Sequence, residues 1–117
     1  MSLPPRLAKK PKRSSRWRSQ AHLAFVRSHH CAMPGCRDVL IEAAHVRLGS
    51  GAGMGEKPHD WRAVSLCKHH HNCQHTQGED TFWKAYKAVS GQTVDDLIEG
   101  YCAASPKARE IREARNV

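Results

Sequence analysis

The spacing of apolar residues changes along the chain, and each change predicts a different local structure. After Ser19, apolar residues recur at helical spacing to about Ser28, and Ser19 is suited to cap the helix that this pattern predicts. Residues 39–47 are instead rich in β-branched residues, which predicts a strand. On that strand His45 shares one face with three apolar residues, Val39, Ile41 and Ala43.

Three further helices are predicted in the C-terminal part of the chain. The first carries an apolar stripe at positions i, i+4 and i+7 that predicts a face turned to the core: Phe82, Tyr86 and Val89, with Trp83 alongside. Thr93 is placed to cap the second helix, with Asp96 at the capping-box position. Ser105-Pro106 predicts the start of the third, with proline at its first helical position, and this helix continues to about Arg115.

The segment Leu66–His75 has a different character, because six of its ten residues can bind a metal through sulfur or imidazole nitrogen. If the segment is helical, Cys67 and His70 share one edge and His71 and His75 share another. The first edge is spaced to join two upstream thiols, Cys31 and Cys36, in a tetrahedral structural zinc site. The second edge is spaced to hold another ion.

Two other ligand sets remain open from spacing alone. Cys73 lies on the same side of the predicted helix as His70 and could replace it, and Cys67 could also pair with His71. His69 points the opposite way and is expected to be exposed, and Cys102 is expected to be a small buried residue. The upstream pair encloses Pro-Gly, which predicts a tight turn that directs both sulfurs toward one ion.

Length, charge and cysteine content indicate which class of partner and which cellular compartment to expect. A chain of 117 residues predicts one domain with a modest core, which a structural metal would stabilise. The net charge of +8 indicates an acidic partner, most commonly nucleic acid, and nothing in the sequence distinguishes DNA from RNA. Five cysteines with two at C-x4-C spacing favour metal binding over disulfides, and no apolar run is long enough to span a membrane, so we expect a cytoplasmic protein.

Residues 1–18 carry many basic residues and three prolines, which predicts a disordered basic arm. Its cations are candidates for phosphate contacts, and so is Arg47 in the predicted strand: Lys12, Arg13, Arg16, Arg18 and Arg47. Trp17 could stack on a base or begin the folded core. Residues 48–60 contain four glycines and are expected to form a mobile loop, since no Gly-Lys-Ser/Thr ending supports a phosphate-binding loop.

The order of the predicted elements resembles that of the HNH nuclease superfamily. A strand with a histidine is followed by a loop and by a helix with further histidines, and cysteines join these elements. The matching pieces are Ala44-His45-Val46, Gly53-Met54-Gly55, Asp60-Trp61, Leu66-Cys67 and the histidine cluster. They are most similar to the zinc-pinned branch and to small phage-associated Ref-type and DUF968-type nucleases.

The resemblance implies an α+β fold, a small zinc-stabilised ββα-metal finger (a β-hairpin plus a helix) with flanking helices. The resemblance covers about residues 22–86. Together with the chain length and the helix patterns, it predicts a single domain over residues 19–117, with the ββα core at about 31–77 and C-terminal helices at about 79–115. It also implies a metal-dependent DNA endonuclease in which His45 is the general base and Mg²⁺ or another divalent ion binds His71 and His75, while Cys31, Cys36, Cys67 and His70 hold structural Zn²⁺.

Two positions depart from the family pattern. The asparagine that usually orients the base histidine has no counterpart, and Asp60 is the expected substitute. Many members also have a metal ligand directly before the base, where this chain has Ala44, so Glu42 or Asp60 would have to assist the two helix histidines. The second departure motivates an alternative function, a zinc-stabilised nucleic-acid-binding module with weak or no catalysis.

Overall fold

The computed structural model describes residues 3–4, 16–52 and 56–116 of the chain. These residues form a small α+β fold with one two-stranded antiparallel sheet, five α-helices and a short 3-10 helix at Asp60–Arg62. The strands are β1 (Ile41–His45) and β2 (Ala63–Cys67), and the helices are α1 (Gln20–Arg27), α2 (Lys68–Gln77), α3 (Glu79–Ser90), α4 (Val94–Ala104) and α5 (Ala108–Arg115).

The hairpin of β1 and β2 forms the centre of the fold. Ile41 pairs with Cys67 at one end of the ladder and His45 pairs with Ala63 at the other. All five residues of β2 are buried, since helices cover this strand. The predicted strand at 39–47 is therefore correct in type and too long, because Val39 and Leu40 lie exposed before the ladder begins.

The metal-rich helix begins later than predicted. Leu66 and Cys67 extend β2, where they pair with Glu42 and Ile41, so α2 begins at Lys68 with Cys67 as its N-cap. The predicted caps of two other helices are confirmed: Ser19 accepts a hydrogen bond from the backbone of His22, and Thr93 forms a capping box.

The last helix also begins later than predicted. Pro106 lies in a turn closed by the bond from Ala108 N–H to the Ser105 carbonyl, and α5 starts at Ala108 instead of at the proline. Its buried residue, Ile111, packs into the same core as the buried α3 stripe.

The core lies between the buried strand and the helices. Phe82, Trp83 and Tyr86 of α3 are buried as predicted, whereas Val89 is 65% exposed in the last turn before Gly91. The predicted stripe is therefore one residue too long. Cys102 is buried, as expected.

The folded part begins earlier than residue 19. Trp17 packs against Trp61 with a ring-centroid distance of 5.7 Å, and its carbonyl accepts a hydrogen bond from Asp60 N–H at 2.9 Å. Residues 16–18 thus belong to the domain, and stacking and hydrogen bonding hold them there. Residues 1–2 and 5–15 of the predicted arm, including Lys12 and Arg13, and the Gly53-Met54-Gly55 motif lie outside the described residues. Among the helices that are described, none has the length and apolarity needed to cross a bilayer.

Candidate active site and metal centre

Three separate segments supply the cysteine and histidine cluster. Cys31 and Cys36 come from the loop after α1, Cys67 ends β2, and His70 lies in the first turn of α2. The loop is held against β2 by the bond from Ala32 N–H to the Ser65 carbonyl, at 2.8 Å. Cys36 N–H donates to the Met33 carbonyl at 3.1 Å, and Gly35 has φ +81°, so the Pro-Gly turn forms as predicted.

The geometry of this cluster fits a tetrahedral zinc ion. His70 Nδ1 lies 3.4 Å from Cys31 Sγ and 3.2 Å from Cys67 Sγ, and the Cys36 and Cys67 sulfurs are 3.8 Å apart. Bond lengths of about 2.3 Å to sulfur and about 2.0 Å to nitrogen give tetrahedral edges of about 3.8 Å between sulfurs and about 3.5 Å between sulfur and nitrogen. All four ligand atoms lie within 4.8 Å of one another, so this Cys3His cluster could bind a metal such as zinc.

Burial shapes the ligand chemistry at this centre. Burial raises the pKa of the Cys31 thiol to about 11, so without a cation the buried sulfur retains its proton. A bound metal deprotonates a coordinating thiol, and binding at this cluster would therefore release protons. Burial, with His69 nearby, lowers the pKa of His70, which favours the neutral imidazole that a metal requires.

The structure decides between the ligand sets that spacing left open. Cys73 lies outside the cluster, with its Sγ 3.7 Å from His69 Nε2 on the outer side of α2. His71 turns toward Glu42 instead, with 2.9 Å between Nδ1 and Oε1. The expected grouping of Cys31, Cys36, Cys67 and His70 is thus the one that the fold brings together, and His69 is exposed as expected.

His45 ends β1 beside the 3-10 helix, where its ring meets a buried carboxylate. His45 Nε2 lies 2.9 Å from Asp60 Oδ1, and the Asp60 side chain is only 2% exposed. A carboxylate accepts hydrogen bonds, so Nε2 carries the proton in the neutral ring and Nδ1 keeps its lone pair. Burial lowers the pKa of His45, against the hydrogen bond and charge of Asp60, which raise it.

The two helix histidines lie close together near the same cleft. The rings of His71 and His75 are 4.9 Å apart between centroids. A cleft of about 310 Å³ is lined by three histidines and three charged residues: His45, His71, His75, Arg47, Glu56 and Lys57. The fold therefore brings the candidate base, the candidate ion ligands and two cations to one surface.

The predicted phosphate contacts that the structure describes are divided between the cleft and contacts with residues 56–60. Arg47 lies in the cleft and donates to the Glu56 carbonyl at 2.6 Å. Arg16 forms an ion pair with Glu56 at 2.9 Å, and Arg18 donates to the carbonyls of Pro58 and Lys57. Arg16 and Arg18 thus join residues 56–60 to the N-terminal segment.

Two polar residues support His45 without a clear signal in the sequence. Gln74 is fully buried on α2, and its amide donates to the His45 carbonyl at 3.4 Å and to Glu79 Oε1 at 3.1 Å. Glu79 in turn accepts from Arg47 N–H at 2.8 Å. Gln74 and Glu79 hold the C-terminal end of β1 in place. The only sign of this role in the sequence is that Gln74 is an uncharged residue within the run of possible metal ligands.

Comparisons with known proteins place the chain in a family. YdfU, an uncharacterized protein of Escherichia coli (strain K12), is 36% identical over 74 residues, which cover 62% of this chain. The matched part spans 20% of that relative. No solved structure matches the chain. The model of the family described as "Protein of unknown function (DUF968)" matches residues 2–97, and the chain belongs to that family.

Proposed function

We propose that this protein is a metal-dependent DNA endonuclease of the HNH type, built on a zinc-pinned ββα-metal finger. β1, β2 and α2 follow one another in the order that such a finger requires, and the Cys3His cluster joins the hairpin to the helix. The observation that carries the proposal is that His45, hydrogen bonded to buried Asp60, shares one cleft with His71 and His75.

His45 has the properties of a general base. Its Nε2–H bond to Asp60 leaves the Nδ1 lone pair available to take a proton from an attacking water molecule. Burial lowers the pKa of His45, so the neutral, basic form predominates at neutral pH. Asp60 orients the ring and stabilises the imidazolium that forms, which is the role expected for it in place of the asparagine.

The donors offered to a divalent ion are His71 and His75 on α2, whose rings are 4.9 Å apart between centroids, and Glu42 lies beside His71. Among the described residues, only the Cys3His cluster brings three or more such ligand atoms within 4.8 Å of one another. Such an ion, when bound, supplies Lewis-acid stabilisation of a non-bridging phosphate oxygen and of the leaving 3′-oxygen. Imidazole donors suit a transition-metal ion better than Mg²⁺, which prefers oxygen ligands. Ala44 is fully buried and contributes no ligand, and Glu42 lies 2.9 Å from His71 Nδ1.

The charge of the cleft suits a polyanionic substrate. Arg47 and Lys57 line it beside the histidines, and the whole chain carries a net charge of +8. Cations at this position hold the phosphate backbone without sequence preference. We therefore expect binding that weakens steeply as salt concentration rises.

Plasmid nicking tests this proposal. The wild type should convert supercoiled plasmid to the open circle in Mn²⁺ or Mg²⁺, and His45→Ala should lose this activity while it keeps its zinc content and circular-dichroism spectrum. His69→Ala is the matched control, because His69 is an exposed histidine on α2 outside the cleft. Equal cleavage by His45→Ala and wild type would remove His45 from the mechanism, and a labelled RNA run in parallel identifies the nucleic acid.

A second candidate function is a zinc-stabilised nucleic-acid-binding module without catalysis. Ala44 favours it, because an alanine before His45 offers no ligand atom and the ion would have to rely on His71, His75 and Glu42. Metal analysis after incubation with Mn²⁺ separates the two functions. One zinc per chain with no second ion and no nicking supports the module, whereas a second ion that His71→Ala abolishes supports the nuclease.

A further inference from the structure

The N-terminal strap, defined as residues 16–19, lies alongside residues 56–60 and is joined to them at successive positions. Trp17 N–H donates to His59 Nδ1 at 2.8 Å, and Asp60 N–H donates back to the Trp17 carbonyl at 2.9 Å. Ser19 N–H then donates to Asp60 Oδ2 at 2.8 Å. The strap therefore ends on the carboxylate that holds His45.

Arg18 is the residue of the strap that brings charge to this carboxylate. Its guanidinium donates to the Pro58 carbonyl at 2.5 Å and to the Lys57 carbonyl at 3.0 Å, and it lies 3.4 Å from Asp60 Oδ1. A planar guanidinium presents its N–H donors in a fixed fork, so it can satisfy several oxygens at once from one position. The two carbonyls thus hold the positive charge beside Asp60.

A buried carboxylate needs a compensating positive charge, and Asp60 has two ion-pair partners in the described part of the chain, Arg18 and His45. Arg18 is permanently charged, whereas His45 provides charge only by taking up a proton, which occupies the lone pair that a base requires. When Arg18 balances more of the Asp60 charge, protonation of His45 becomes less favourable.

We propose that Arg18 is a positioning residue that keeps His45 unprotonated, and therefore available as a base, by sharing the buried charge of Asp60. The catalytic meaning of this inference rests on the proposed function, but the effect on His45 does not need a substrate. Burial is the main cause that lowers the pKa of His45; Asp60 raises it, and the charges of Lys57 and then Arg18 lower it further. The other charged or titratable groups that face the same cleft are His71 and His75 of α2 with Arg47 and Glu56.

Arg18→Gln and Arg16→Gln form a matched pair for the test. Each removes one arginine charge from the strap, but Arg16 pairs with Glu56 and His59 and not with Asp60. The full-length protein purified with zinc is titrated by imidazole ¹⁵N NMR without nucleic acid, and the His45 signals are assigned by their loss in His45→Gln. We expect the His45 imidazolium to persist to higher pH in Arg18→Gln, while Arg16→Gln titrates like the wild type.

The same pair is then compared in the nicking assay. The acid limb of the pH–rate profile should move to higher pH in Arg18→Gln alone, a change that a general loss of stability does not produce. Identical His45 titration in the two variants would overturn the inference. Should Arg18→Gln lose the native circular-dichroism spectrum, Arg18→Met, which keeps the apolar stem, takes its place. Loss of the fold in both would show that Arg18 serves the fold and would equally overturn the inference.

The two readouts separate this inference from the proposed function. A shifted His45 titration without nicking by any variant would leave the role of Arg18 intact and reject the nuclease. Nicking by the wild type with unchanged titration and an unchanged pH profile in Arg18→Gln would reject only the role of Arg18.

Discussion

Replacing Cys36 with serine should abolish zinc binding at the Cys3His cluster and remove most of the stability that the metal supplies. Cys36 supplies one of the four ligand atoms of the Cys3His cluster. These atoms come from the loop after α1, the end of β2 and the first turn of α2. A structural zinc ion contributes about 10–16 kcal/mol in small domains that need it. The free energy of unfolding of a whole small domain is about 5–15 kcal/mol, so even half of the zinc contribution equals the lower end of that range.

The change can be measured as zinc content and thermal stability. We expect Cys36→Ser to carry much less than one zinc per chain by elemental analysis. A loss of about 5 kcal/mol lowers Tm by on the order of 20 °C in a domain of this size, and the circular-dichroism melt reports it directly. A strong chelator should have the same effect on the wild type and none on the variant that has already lost its metal.

Cys73→Ser is the matched control for this prediction. Cys73 is a half-buried cysteine on α2 that lies beside His69 and outside the cluster, so the chemical change is the same and the ligand set stays intact. It should keep one zinc per chain and nearly the wild-type Tm. If Cys36→Ser kept its zinc and its Tm, or if Cys73→Ser lost zinc to the same extent, the assignment of ligands from the sulfur and nitrogen distances would be refuted.

Three further predictions concern stability. Thr93→Ala removes the α4 capping box and should lower the free energy of unfolding by about 1 kcal/mol in urea titrations. Ile111→Ala empties a buried site on α5 and should lower it by about 2–5 kcal/mol, whereas Val89→Ala, at a 65% exposed position, should change it by less than about 0.5 kcal/mol. Burial lowers the pKa of His22 in the folded state. The contribution of His22 to stability is therefore complete above the unfolded pKa of about 6.5, and it is lost as the pH falls through the lower pKa of the folded state. Urea midpoints should therefore fall between pH 7 and pH 5, and His22→Gln should weaken that dependence; an equal dependence in the variant would contradict the role of His22.

The members of the Cys3His cluster could be predicted from the sequence because their spacing is local, although spacing alone also allowed Cys73 or His71 in place of His70. Cys31 and Cys36 need only the Pro-Gly turn between them, and Cys67 and His70 need only one turn of chain. The start of α2 could not be predicted in the same way. Leu66 and Cys67 belong to a strand buried on both faces, which lacks the alternation that distinguishes a half-buried strand from a helix.

The surroundings of His45 depend on contacts that no local pattern encodes. The resemblance to HNH nucleases predicts that Asp60 orients His45 in place of an asparagine, and the two side chains are in contact. One donor to Asp60, Arg18, comes from the segment 1–18 that composition assigned to a disordered arm. The other, Ser19 N–H, lies 41 residues from Asp60 along the chain. A basic, proline-rich composition predicts disorder on average, but it does not show where Trp17 finds an aromatic partner in Trp61.

Helix α2 carries residues of both the Cys3His cluster and the cleft, and it has little apolar surface to hold it in place. Gln74 is the buried residue of this helix, so apolar burial contributes little to holding α2 against the sheet. Its orientation is fixed instead at its first turn, where Cys67 and His70 meet the loop cysteines, and at its middle, where Gln74 donates to the His45 carbonyl. The same orientation directs His71 and His75 toward the cleft, so a metal at the Cys3His cluster would fix the rotation of the helix that carries the candidate ion ligands. Loss of that metal should therefore disorder the cleft as well as the fold, because apolar packing alone is too weak to keep α2 in place.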